Sequence, residues 1–274
     1  MNTAHRFSAA RSSAIARAEF LKIWASKIPV VMLVALPVGT YLFVLELYQI
    51  ERVSERLHIA SAVDALPLLF FATWKTLLFQ AAMLTFAAFW TTIDSQYGMI
   101  RVACCQPITR GEYLLGKWCG IVAHVVIFTL ALIVSEILWT GIYSGIRGVS
   151  KHQWVAVARF TVEVVVFVVA VTSVTMATAS FRRTVGAGIV TAIIGFILLA
   201  FMTMLPFELL SPRFVLMRYF SFPLGELPNP YPTMGDSSFL RVHSVADFFR
   251  TTLATPLLFA IPAVLYFRRR DIGE

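Results

Sequence analysis

Six ionisable residues stand inside or beside long apolar runs: Lys75, Glu136, Arg159, Glu163, Asp247 and Arg250. A charge in hydrocarbon costs about 2.5 to 3.5 kcal/mol or more unless it is paired or hydrated, so such groups pair with one another or line a wet route. Arg159 and Glu163 are four apart and share one face of a helix, where they can pair. Counting about 1.5 Å per residue from the ends of their runs puts Lys75 and Glu136 at a common depth of roughly 10 Å, which suits a pair between helices. Either pairing can fix helix packing or form part of a pathway or gate. Other chemistry is poorly supplied. Gly111 to Lys117 spells G-x-x-x-x-G-K, the opening of a phosphate-binding loop, but Trp118 stands where Ser or Thr would hold magnesium and no strand precedes it. Five dispersed histidines (His5, His58, His124, His152 and His243) and three cysteines (Cys104, Cys105 and Cys119) have neither metal-ligand nor disulfide spacing. With no nucleophile or H-E-x-x-H pattern either, the chain is expected to be no enzyme and to bind no cofactor.

The elements that must position these charges are set by composition. Of 274 residues 58% are hydrophobic and 14% charged, with a mean hydropathy of +0.77, against about 25% charged in soluble domains. The apolar residues fall into blocks of about 20 or more, the helical length that crosses a bilayer. Six spans are expected, at 28–47, 67–93, 113–143, 154–180, 187–207 and 246–267, making an all-α polytopic membrane protein with one six-helix domain over 28–274. Residues 1–27 form a cytoplasmic N-terminus and an amphipathic elbow helix, in which Ala16, Phe20, Ile23 and Trp24 share an apolar face suited to the membrane interface. The first span is expected to be retained, because its basic leader is long and charged residues follow it without a small-residue cleavage pattern. Pro29 suits its start and Pro37 is expected to kink it. Gly188 and Ala192, four apart in the fifth span, suit close helix packing. The segment 208–245, with Leu-Pro-Asn-Pro-Tyr-Pro inside it, cannot be regular helix.

The net charge of +8 forms no basic stripe with interleaved aromatics, so nucleic acid is not expected as a partner. The basic residues instead follow the positive-inside rule. With both termini cytoplasmic, Arg6, Arg11, Arg17, Lys22, Lys27, Arg101, Arg110, Lys117, Arg182, Arg183 and Arg268 to Arg270 lie inside, about 13 of the 23. The connection 94–112 then faces the cytoplasm and 208–245 faces outward. Lys117 is expected to snorkel at the inner end of the third span.

That cytoplasmic connection reads Gly98-Met-Ile-Arg101, then Gln106-Pro107-Ile-Thr-Arg110-Gly-Glu112-Tyr-Leu-Leu-Gly116-Lys117. It resembles the type-2 permease family of ATP-binding-cassette (ABC) exporters, with a Gly-Thr-Leu-Arg-like element, then Pro-x-Ser/Thr-Arg, then Leu-Gly-Lys opening the third span. The resemblance extends to the elbow, the six spans, the long outer segment before the last span and the closing Phe267 to Asp271. Met99 and the Cys104-Cys105 pair depart from the pattern. The resemblance implies a permease subunit in the plasma (inner) membrane of a prokaryote, paired with a second permease chain as a homo- or heterodimer and with cytoplasmic ABC ATPase subunits that hold ATP and magnesium. It implies that 94–112 is the ATPase-coupling loop. There Gly98, Met99, Ile100, Arg101, Pro107, Arg110 and Glu112 are the docking residues, Arg101, Arg110 and Glu112 supplying rim ion pairs and Met99 and Ile100 apolar contact. The alternative is an ion-gradient-driven secondary transporter or channel with the intramembrane charges as its coupling site, although inverted repeats are not visible.

Overall fold

The computed structural model describes residues 8–49, 77–99, 108–144, 151–201 and 257–266, and these residues are almost entirely helical, with described turns at 26–27 and 180–184. The helices are α1 (Ala9–Ala25), α2 (Ile28–Gln49), α3 (Leu77–Gln96), α4 (Arg110–Ser144), α5 (Lys151–Ala179), α6 (Val185–Phe201) and α7 (Leu257–Tyr266). The described residues are all-α as expected, and each of the six apolar segments overlaps one of α2 to α7. Among the described residues only α4, over Arg110–Ile142, is long and apolar enough by itself to cross a membrane. The α1–α2 pair passes the same test as one broken unit bent by 66°, while Val164–Ala179, Val185–Gly195 and Leu257–Tyr266 are shorter apolar helices.

The bend between α1 and α2 follows from a local stop signal. Lys27 takes a positive φ of 64°, and its amide bonds back to the Trp24 carbonyl at 3.2 Å, closing the last turn of α1. The Ser26 hydroxyl donates to the Ile23 carbonyl and accepts the Ile28 amide, bridging the two helices. Downstream, α2 continues through Pro37 as one helix. Trp139 of α4 donates its indole N–H to the Pro37 carbonyl at 2.9 Å, and the Tyr41 ring lies 4.7 Å from its own.

α4 is the axis of the fold, packed along α1, α2, α3 and α5, and α6 rests on α3 and α5. Ile23, Phe86, Trp90, Ile121, Phe128, Leu132, Val164 and Phe167 build the core where α1, α3, α4 and α5 meet. Hydroxyl side chains inside it satisfy themselves locally. Thr91, Thr129, Ser135, Thr140, Thr175 and Ser180 each donate a hydroxyl to the carbonyl four residues earlier, so they carry no open donor into an apolar interior. Gly188 is a contact point as expected: a Cβ there would meet Thr92 at 2.5 Å, and the neighbouring Ala192 is buried with Ala88 and Ala179.

One end of the bundle gathers segments that are distant in sequence. Ile15 and Val264 pack on Tyr113 and Leu114 at the start of α4. The Phe181 ring, in the turn joining α5 to α6, lies 5.0 Å from that of Tyr266 at the end of α7. Gln96, at the end of α3, accepts the backbone amide of Val185 at 2.8 Å. The first half of α1, the end of α3, the start of α4, the α5–α6 turn and the end of α7 therefore share one face.

α1 departs from its expected presentation. Its buried residues are Ser12, Glu19 and Ile23, whereas Trp24 stays 39% exposed and Leu21 55% exposed. Of its apolar stripe, Ile23 is in the core and Phe20 lies against His124, and α1 lies in a shallow trough on α4 made by Gly116 and Gly120. A Cβ at Gly116 would come within 2.6 Å of Ile15, and one at Gly120 within 2.9 Å of Glu19. The missing side chains let the two backbones close, and the face that enters the trough carries Ile15, Ala16 and Glu19.

Candidate functional site

The connection expected over 94–112 is shorter than its sequence suggests, because α3 runs on to Gln96 and α4 begins at Arg110. Gly98 explains the stop. It adopts a φ of +69°, a conformation glycine tolerates, while its amide bonds back to the Ser95 carbonyl at 3.3 Å. Met99 beside it is exposed. Ile100, Arg101 and Pro107 lie outside the described residues.

The restart is a capping box. Thr109 takes the Glu112 amide on its hydroxyl at 3.2 Å, and the Glu112 carboxylate takes the Thr109 amide at 2.6 Å. Arg110 sits partly exposed in the first turn. Glu112 does more than cap its own helix. Its other oxygen accepts the Ser8 amide at 2.5 Å and the Arg11 guanidinium at 3.1 Å. Since α1 has no acid in its own first turn, Glu112 supplies one carboxylate to the positive ends of two helices. The Thr109 amide holds this carboxyl below the usual carboxylate range, with the Ser8 amide and Arg11 adding to the effect against the opposing push of burial. Glu112 is therefore turned wholly into the chain, with no exposed side-chain surface. The rim ion pair expected of it is replaced by an internal clamp, because an unpaired helix start beside it captures the carboxylate.

A second polar cluster lies one to two turns further in. Asp94, near the end of α3, accepts hydrogen bonds from Lys22 of α1 at 2.6 Å, from the Tyr113 hydroxyl at 2.6 Å, and from Lys117 of α4. Lys117 also lies 3.9 Å from Glu19, which pairs with Lys22 at 3.2 Å. Two cations and two carboxylates thus meet where α1, α3 and α4 converge. Burial pushes the Asp94 carboxyl up, but Lys117, Lys22 and the Tyr113 hydroxyl outweigh it and bring the group down to about 2. Asp94 and Glu112 both stand just outside the expected spans 67–93 and 113–143.

Lys117 corrects a further expectation. Its side chain is 2% exposed and points to the Asp94 carboxylate on the adjacent helix instead of snorkelling outward. Gly111 to Lys117 is continuous helix, so it cannot wrap a phosphate as a loop. His124 is buried two turns further on. Its Nδ1 donates to the Gly120 carbonyl at 3.0 Å, and its ring lies 4.3 Å from Phe20, so the aromatic residues of α1 meet α4 here.

Of the six charges expected within apolar spans, Glu136 is the one whose side chain is described, and it stands apart from this cluster. Glu136 is fully buried on α4, about 39 Å along the helix from Arg110. Lys75 and Arg250 lie outside the described residues, as does Asp247. Arg159 and Glu163 fall on consecutive turns of α5, and their side chains are outside the described set. Three members of the cluster, Glu19, Lys22 and Asp94, escape a reading by motif, and Lys117 stands in a motif that does not show its partners. The signal that could have found them is Gly116 and Gly120, four apart, which mark where another helix must approach α4.

No protein-family model and no curated protein matches this chain. The fold and the cluster define a class: an all-helical, strongly apolar bundle with a charge-clamped amphipathic helix at one end.

Proposed function

We propose that this chain is the transmembrane permease subunit of an ATP-driven ABC exporter. In this reading six helices form half of a substrate pathway in the plasma (inner) membrane of a prokaryote, with both termini cytoplasmic. A second permease chain completes the pathway, and separate cytoplasmic ABC ATPase subunits bind and hydrolyse ATP with magnesium. The observation that carries the reading is the ordered series from Gly98 to Lys117. Its glycine ends one helix and its Thr109–Glu112 box starts the next. A short, firmly based projection is what a separate motor subunit needs in order to move two helices at once. The 66° bend after α1, and the shared end occupied by α1, the α5–α6 turn and the end of α7, support the same layout.

The second reading is a secondary transporter or channel, favoured by one observation: Glu136 is a fully buried carboxylate deep in an apolar helix. Co-purification and transport separate the two. A tagged full-length chain is expected to bring down an ATPase subunit, and transport in vesicles is expected to stop without ATP. Transport that persists without ATP, with no ATPase bound, overturns the exporter reading.

A further inference from the structure

α1 is held at two places. At its beginning, the Ser8 amide and the Arg11 guanidinium bond to Glu112, which is itself fixed in the first turn of α4 by Thr109. Toward its end, Lys22 bonds to Asp94 of α3, and Glu19 lies against Lys117 of α4. Between Arg11 and Lys22 the helix rises roughly 17 Å. One polar contact would be a pivot, whereas two separated by three turns prevent α1 from rocking on α4. Between them Gly116 and Gly120 bring the backbones into contact, so sliding is also obstructed.

Both anchoring carboxylates flank the same connection. Asp94 precedes it on α3 and Glu112 follows it on α4. We propose that Asp94 and Glu112 clamp α1 to the two helices that flank the 97–109 connection, so that α1 and the bases of α3 and α4 move as one body and pass a displacement of the connection across the bend into α2.

Stability alone is a poor account of this arrangement. Burying carboxylates and a lysine carries a desolvation cost that well-packed apolar side chains avoid, and such replacements are often as stable or more so. What ions supply here is a fixed register among three helices. Asp94, Glu112, Glu19, Lys22 and Lys117 are positioning residues in this scheme. The proposal rests on the exporter reading for the source of the push, but the rigid attachment itself can be measured without a motor.

The test uses two spin labels on the full-length chain, one at the native exposed Cys119 of α4 and one at Arg17→Cys on the exposed face of α1, with Cys104 and Cys105 changed to Ser. In the chain alone, the distance distribution is expected to be single and narrow. Glu112→Gln and Lys22→Met, the latter chosen because Lys22 is partly exposed and tolerates truncation, are each expected to broaden it. In the assembled complex, the same distance is expected to be unchanged between nucleotide-free and ATP-trapped states. Glu112→Gln should keep its ATPase partner yet lose transport per ATP hydrolysed by roughly tenfold, within the usual range of coupling between sites. An interlabel distance that shifts with nucleotide, or clamp variants with unaltered width and transport, overturns the proposal. If no ATPase assembles with the chain, the exporter reading fails by itself, and the label widths of the isolated chain still decide whether the clamp exists.

Discussion

Glu112 accepts the backbone amide of Ser8 at 2.5 Å across 104 positions of sequence, and the same carboxylate closes the capping box of Thr109. One side chain thereby starts two helices. Removing only the α4 half isolates its worth: Thr109→Ala is expected to cost about 1 kcal/mol of stability. Thermal unfolding in detergent checks this, and a loss near zero would show that the box is incidental.

The Asp94 and Lys117 charges are each buried, with side chains 5% and 2% exposed. Changing either one alone to Ala strands its partner, and each single variant is expected to lose about 3 to 5 kcal/mol. The double variant Asp94→Leu with Lys117→Met removes both charges and should lose much less than the two single losses together. Denaturant titration of the four proteins reads the difference; simple additivity would dissolve the pair.

Acid should release the same site. Asp94 has a native value of about 2 against 3.8 for the free side chain, so its contribution is complete above about pH 4 and disappears as pH falls toward 2. Glu112, also lowered, acts in the same direction. The melting temperature is therefore expected to fall across that interval, and Asp94→Asn should flatten the fall. An equal slope in the variant would count against the assignment.

Prying α1 away requires no change of charge. At Gly116 even a Cβ has no room beside Ile15, so Gly116→Leu is expected to cost about 1 to 3 kcal/mol through overpacking. It should also expose the residues around Glu19 to solvent. Hydrogen exchange over α1 gives the direct measurement, and undiminished protection there would contradict the packing.

At the other end of α4, Glu136 and Lys75 are expected to act together. If the proposed exporter reading holds, export by Lys75→Ala, Glu136→Ala and the double variant is the comparison, the double being no worse than the poorer single when the two side chains pair. Additive defects would separate them.

The apolar blocks were legible because a helix in lipid must be uniformly greasy over about 20 residues, a property of neighbours in sequence. The expected helix starts at 28, 113 and 187 lie within three residues of the observed 28, 110 and 185. Thr109 and Glu112 were visible as residues of a motif, but their partner at Ser8 was not, because an open helix start elsewhere in the chain has no local signature. The same holds for α1. Periodicity ranks its faces by apolarity and brings forward Trp24, whereas packing against Gly116 and Gly120 selected the face carrying Glu19.

By itself, then, the amino-acid sequence determined an all-helical, membrane-like chain and the place where two helices meet in a short connection. Helical periodicity and length are local properties, and that is why they can be read without coordinates. Only the tertiary structure decided that Glu112 turns inward to Ser8 and that Lys117 turns to Asp94. The reason is electrostatic. A buried charge goes to whichever opposite charge or amide the folded backbone brings within about 3 Å, and that neighbour belongs to another helix.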